Sequence, residues 1–262
     1  MTEKTISRRA RLRSATVAEI KQVALDLMSS GGPDAISLRA IAREMGMTAG
    51  AIYSYFPTRD DLITTLITDV YESAVDTIEA ARDALPSTDA AGRILAWARS
   101  FREWALANPA GFRLIYGDAI TGYQPPEGGP ASEAAHRACA GLTGLVAGAW
   151  PQAEQNSSAT YDWSSFDATL AADVQEQFPG LPPAAVALAM RLWGRMHGLV
   201  ALEVYGHLRP LIHEPAQLFE DEMADLLRSY GLQSDGSAIG THPQRASQPQ
   251  NGGRRQEAHD AQ

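Results

Sequence analysis

The 262-residue sequence predicts an all-α fold, and three observations carry that expectation. Apolar residues recur three and four apart through most of the chain, which is the period of a helix face. No stretch alternates apolar and polar residues as a half-buried strand does. Breaks such as Ser30-Gly31-Gly32-Pro33, Pro86-Ser87-Thr88, Asn108-Pro109 and Pro179-Gly180 cut the pattern into helix lengths. Together they leave about nine helices.

The elements follow in order. Residues 1–14 carry Lys4, Arg8, Arg9, Arg11 and Arg13, with Ile6 and Leu12 as the larger aliphatics. They are expected to form a flexible basic arm. Such an arm follows phosphates or enters a minor groove; the alternative is a solvated tail. The first helix starts at Ser14 or Thr16, with Ile20, Val23, Ala24, Leu27 and Met28 as its apolar stripe. Ser37 can cap a second, short helix through its hydroxyl. Leu38, Ile41, Ala42 and Met45 give that helix its inner face, and Gly46 ends it in the left-handed conformation that glycine tolerates. Thr48 caps a third helix over Ala49–Phe56, whose inner face is Ile52 and Phe56. Ala49, Gly50, Tyr53 and Ser54 are left facing outward. Pro57 cannot continue that helix.

From Asp60 a long helix runs to Arg82 or Leu85, with acidic residues at its positive end. A further helix spans Ala90–Ala107 with Ile94, Trp97, Phe101 and Trp104 inward, and a short one covers Ala110–Ile120. Residues 121–130 form a Pro/Gly loop. Ala131–Trp150 is a small-residue helix. Residues 151–180 read as loop, with a short helix within SFDATLAADVQEQF. Ala184–Leu208 is apolar nearly all round, as in a helix buried on more than one side. Gly194 and Gly198 on it allow another backbone to approach. Pro215 opens a last helix, and beyond Leu232 the composition turns to Gln, Ser, Gly and Pro, as in a disordered tail.

A helix, a glycine turn and a second helix with a small outer face make a helix-turn-helix, whose second helix enters a DNA major groove. The stretch LRAIAREMGMTAGAIYSYFPTRDDLI resembles the DNA-binding signature of the TetR family of bacterial transcriptional regulators. Tyr53, Tyr55-Phe56 and Pro57-Thr58-Arg59 carry the match. Trp193 and His197-Gly198, with FREWALANPAGFRLIYG, resemble the ligand domain of one TetR subgroup. The resemblance implies a three-helix DNA-binding head on a larger helical-bundle domain for ligand binding and dimerisation. The expected boundaries are 1–14 for the arm, 15–60 for the head, 61–231 for the body and 232–262 for the tail.

Charge agrees with that division. Residues 1–59 hold nine Lys/Arg against five Asp/Glu, while the rest holds thirteen against twenty-six. A basic end on an acidic body confines the DNA-facing field to one end.

The outward face of the reading helix offers Ala49, Gly50 and Ser54, with no Arg, Asn or Gln. Arg39, at the start of the preceding helix, is therefore assigned the sharpest base contact, against the alternative of a solvated arginine. Ser37, Thr48, Tyr53, Tyr55 and Arg59 are expected on phosphates, which position the protein without reading sequence. For Tyr53 and Tyr55 the alternative is a ring packed on the head itself. Two-fold dimers read two half-sites, so a homodimer through residues 184–231 on a palindromic operator is expected, against ordinary intrachain packing of the glycines. The resemblance also implies a small-molecule effector, held by Trp97, Phe101, Trp104, Tyr116, Cys139, Trp193, Met196 and His197; each alone also fits an ordinary core.

The most direct expectation is a repressor released from its operator by the effector; an effector-independent regulator or an activator is the alternative. An enzyme is not expected. His136, His197, His207 and His213 form no HExxH, and no GxSxG, P-loop or GxGxxG occurs. Cys139, with His136 three residues before it, could form a thiolate pair, but reads as a small apolar residue on a helix of alanines and glycines. One cysteine excludes a disulfide framework and the multi-cysteine zinc motifs. No metal, cofactor or membrane partner is expected. No apolar run reaches about eighteen residues, and the basic N-terminus lacks the apolar core of a secretory signal, so a cytoplasmic protein is expected.

Overall fold

A computed structural model describes residues 7–157 and 160–233. Ten α-helices and no strand occur among them. The basic arm's first residues and the tail from 234 lie outside the described residues.

Helix α1 (Arg8–Gly31) begins earlier than its periodicity predicts. Ser7 caps it, its Oγ accepting from the Ala10 N–H at 3.2 Å. Residues 8–14 are therefore helix and not arm. Tertiary contacts fix the added turns: Arg13 donates to the Ser54 carbonyl at 3.1 Å, and its guanidinium lies 4.7 Å from the centre of the Tyr55 ring.

Helices α2 (Leu38–Glu44) and α3 (Ala49–Tyr53) follow. Gly46 joins them with φ +64°, where a side chain would be strained. Thr48 caps α3 through its side chain at 3.2 Å from the Ala51 N–H. Ser37 holds the cap conformation of α2, but its hydroxyl makes no capping bond. Helix α3 ends three residues earlier than expected; the N–H groups of Tyr55 and Phe56 both turn back to the Ile52 carbonyl.

Helix α4 (Arg59–Asp83) starts with a reciprocal cap: Thr58 Oγ1 accepts from Asp61 N–H, and Asp61 Oδ2 accepts from Thr58 N–H, each at 3.0 Å. Helices α5 (Ala90–Ala107) and α6 (Pro109–Tyr116) complete the middle of the chain. Helix α6 stops at Gly117, before Ile120, because Ile120 turns into the core beneath the first three helices. Helix α7 (Pro130–Ala153) runs through Pro151. The 151–180 stretch holds two single turns of tight helix and α8 (Ala168–Gln177), capped by Asp167. Helices α9 (Pro183–Val204) and α10 (Pro215–Ser229) close the fold.

Two apolar cores result. One lies under α1–α3 and the start of α4, with Ile20, Ile41, Ile52 and Leu62 at 0% exposure. The other is built by α4, α5, α7, α9 and α10 around Trp97, Phe101, Val146, Leu188 and Met223. Two elements reach both. Helix α4 gives Leu62, Ile63 and Leu66 to the first core and Ala74 and Ile78 to the second. Helix α6 gives Leu114 to the first and Phe112 to the second. Helix α9 is less enclosed than its composition implies: Met190 and Leu202 are 47% and 41% exposed. No helix is long and apolar enough to cross a membrane among the described residues.

Candidate DNA-reading face and body cavity

Local sequence builds the first candidate site. Leu38, Ile41 and Ile52 anchor α2 and α3 to the core, which turns Arg39, Thr48, Ala49, Gly50, Tyr53 and Ser54 outward, all exposed. Ser37 is half-buried. An added Cβ at Gly50 would meet nothing, so this surface is open to a close approach. Tyr53 is 44% exposed, with its ring off the core.

Two expected phosphate contacts are placed differently. Tyr55 is half-buried under the Arg13 guanidinium. Arg59 is already engaged: Nε donates to the Ile36 carbonyl at 2.8 Å and Nη1 to the Thr121 carbonyl at 3.2 Å. Asp34 lies beside it and accepts from the Thr121 N–H at 3.2 Å and hydroxyl at 3.0 Å. Arg59 therefore joins the head to the loop after α6, because α4 begins where that loop crosses it. Tyr123 in the same loop bonds Thr64 at 3.0 Å, and Lys21 of α1 pairs with Asp69 of α4. None of these partners was legible in the sequence, since the residues lie tens of positions apart.

Sequence reasoning missed the place of Arg8, Arg9 and Arg13. With Leu12, Ser54 and Tyr55 they line an open groove where α1 passes the end of α3. The first turn of α1 has no acidic residue. Its arginines crowd the positive end of a helix, an arrangement that an external anion relieves.

The second candidate site is a cavity of about 300 Å³ in the body. Tyr71, Ala74, Val75 and Ile78 of α4 form one wall, and Trp97 and Phe101 of α5 the next. Tyr116 closes the α6 side, Cys139 and Leu142 the α7 side, and Val186 and Trp193 the α9 side. Trp97, Phe101, Tyr116, Cys139 and Trp193, five of the residues expected to hold an effector, thus line one cavity. Gly141 makes room for one of them, since an added Cβ would lie 2.5 Å from the Trp97 ring.

Trp104, Met196 and His197 are not on that surface. Trp104 lies two helical turns beyond Trp97 and lines a separate crevice between α1, α4 and α6. Met196 is packed in the core at 2% exposure. His197 stacks on Phe112 at 5.5 Å and touches the Tyr116 and Trp193 rings at 5.0 Å from behind. Its Nε2 is buried with no hydrogen-bond partner among the described residues. Burial pushes its imidazole below the ordinary histidine range, so the ring is neutral. Burial likewise pushes the Tyr71 and Tyr116 phenols up, Tyr116 most strongly. Cys139 is exposed at the edge of the cavity, and His136 bonds Gln177 at 2.8 Å. No cluster of three metal-ligating side chains occurs among the described residues.

Comparison with known proteins bears on both sites. Residues 20–66 match the family described as bacterial regulatory proteins, tetR family. Residues 94–226 match the family described as tetracyclin repressor-like, C-terminal domain. The HTH-type transcriptional regulator Rv1816 of Mycobacterium tuberculosis is 30% identical over 224 residues, covering 82% of this chain and 92% of that protein. Its Mycobacterium bovis counterpart Mb1846 matches equally. A crystal structure of a regulatory protein, SCO4313, superposes with a TM-score of 0.66 at 32% identity, covering 85% of this chain and all of that one. A tetR-family regulatory protein from Rhodococcus RHA1 shares the fold, with a TM-score of 0.59 at 16% identity over 83% of this chain and 98% of that one. The head matches a family of DNA-binding regulators and not of enzymes, and the body matches the domain that accompanies it. The chain belongs to the TetR family and is a helix-turn-helix transcriptional regulator.

Proposed function

We propose that the chain is a dimeric repressor that leaves a palindromic operator when a small molecule fills the body cavity. The observation that carries this reading is the path of α4. Its first turns are locked into the head core, and its Tyr71–Ile78 stretch is a wall of the cavity. A ligand that displaces that wall displaces the head.

In this reading α3 enters the major groove with Ala49, Gly50 and Ser54 against base edges. Arg39 supplies the bidentate contact to guanine. Ser37, Thr48 and Tyr53 take phosphates, and the arginines at the start of α1 add charge along the backbone. The partner is a second copy. Gly194 and Gly198 have open space where a Cβ would sit, so they serve no packing within the chain. They share a stripe of α9 with Met190, Leu202 and Tyr205, and α10 adds Leu218 beside it, all of these exposed. Two such faces, packed together, set the spacing of the two heads.

Selection of bound DNA from a random duplex pool tests the reading, with Tyr53→Ala in parallel. A palindromic sequence enriched by the wild type and lost by the variant supports it. No enriched sequence from a folded dimer overturns it. Gly198→Glu should yield monomers by sedimentation and lose the palindrome. Operator must also weaken binding of the effector by the same factor as effector weakens operator.

A further inference from the structure

The cavity's lining specifies the chemistry of what fills it, an inference that rests on its reading as the effector site. No Asp, Glu, Lys, Arg or His lines it. Of the carboxylates along this stretch of α4, Asp76 and Glu79 pair outside with Arg137 of α7, and Glu72 is exposed. The long walls are aromatic: Trp193 lies 5.5 Å from Phe101 and 5.3 Å from Tyr116, and Tyr71 meets Tyr116 edge-on at 6.0 Å. Aliphatic Val75, Ile78, Leu142 and Val186 fill the remainder.

Polar side-chain groups are few: the Thr143, Tyr71 and Tyr116 hydroxyls, the Cys139 thiol and the indole N–H groups of Trp97 and Trp193. The Thr143 hydroxyl already donates to the Cys139 carbonyl at 3.0 Å, which leaves it only as an acceptor. Tyr71 and Tyr116 line one side of the cavity together, their rings edge-on. Two phenol groups can therefore meet a ligand at one side of an apolar chamber. An ion entering this space would lose its hydration with no countercharge to replace it. Aromatic faces attract quaternary ammonium groups, but no carboxylate in the lining completes such a cage. Burial among these walls pushes the Tyr71 and Tyr116 phenols up, as an apolar surrounding does.

We propose that the cavity takes an uncharged aromatic or polycyclic molecule of about two fused rings, carrying one hydroxyl or carbonyl oxygen that bonds the Tyr71 and Tyr116 hydroxyls. The volume of about 300 Å³ sits at the small end of ligand sites, which excludes long acyl chains and large cofactors.

The test is calorimetric titration of the full chain with four matched probes: 1-naphthol, naphthalene, 1-naphthoate and (1-naphthylmethyl)trimethylammonium. Naphthol should bind saturably. Naphthalene should bind about fivefold to 150-fold more weakly, for want of two hydrogen bonds. The two ions should bind at least about 100-fold more weakly. Tyr116→Phe should bring naphthol part of the way to the level of naphthalene, the double variant Tyr71→Phe/Tyr116→Phe should bring it all the way, and both should leave naphthalene unchanged. Ala138→Phe, which fills existing space, should abolish binding while the variant still melts cooperatively. If an ion binds as tightly as naphthol and Ala138→Phe abolishes it, the cavity is a ligand site but the class is overturned. If no probe binds the folded chain, the class is overturned as well. If naphthol binds as proposed but equally well with operator present, the class stands and the effector reading fails.

Discussion

The head and the body are built from different side chains, and the difference shows in how completely each is filled. The head core is mainly aliphatic and branched, with Phe56 its one buried ring among the described residues: Ile20, Ile36, Ile41, Ile52, Leu62 and Ile63 all reach 0% exposure. Stiff, compact side chains fill a small volume and hold one arrangement. The body core is crossed by Trp97, Phe101, Trp104, Phe112 and Trp150. Flat rings meeting at angles leave space between them, here about 300 Å³. A rigid reader thus rides on an incompletely filled body, with α4 and α6 shared between them. The Arg59–Thr121–Asp34 cluster and the Lys21–Asp69 pair fasten the seam.

The largest expected effect would break or confirm that contrast directly. Ile52→Ala should cost about 2–5 kcal/mol, because the head cannot collapse around the loss. Ile78→Ala, on the cavity wall, should cost less, since one side of Ile78 already faces space. Urea unfolding of both variants measures the difference, and equal losses would mean that the cavity is not open in solution. Next in size is Arg39→Ala. It should lower discrimination at one base step per half-site by about 1–3 kcal/mol, measured on the selected operator against single-base variants, with naphthol affinity of the free protein unchanged.

Arg59→Ala sharpens the account of the seam. Its hydrogen bonds run to carbonyls within the chain, so the variant should lose about 1 kcal/mol of stability and keep its salt dependence on DNA. A salt slope lower by about one would return Arg59 to the phosphates. The smallest effect concerns pH. His197 is held neutral, with its folded-state pKa depressed. The stability it contributes is whole above the ordinary value of about 6.5 and is lost as pH falls through the folded-state value, because the unfolded chain takes the proton more readily. His197→Phe should therefore flatten the melting temperature between neutral and mildly acidic pH. An unchanged acid-side slope would show that carboxylates alone set it.

The head was legible because its signals are local. Cap, glycine turn and a period of three to four residues each act within one or two helical turns, and Gly46 and Thr48 do what their chemistry dictates. The start of α1 was not legible. Arginines at the positive end of a helix argue against helix there, and the Ser7 cap together with the contacts of Arg13 with Ser54 and Tyr55 outweighs them. The 151–180 stretch was obscure for the opposite reason: Asp167 caps α8, but the helix is short and only Ala171 and Val174 are buried.

The sequence by itself determined the helices, the helix-turn-helix and its outward face, because these follow from spacing along one segment. It also placed aromatic residues on the inner face of α5, where Trp97 and Trp104 fall on one stripe. Only the tertiary structure decided what each one meets. Seven residues of helix advance about 10 Å, enough to carry Trp104 past the cavity to the seam beside α1 and α6. The same holds for Arg59, Gly194 and Gly198. Their spacing states which way a side chain leaves the helix, while the presence of a carbonyl, a phosphate or open space at its end depends on segments far away in the chain.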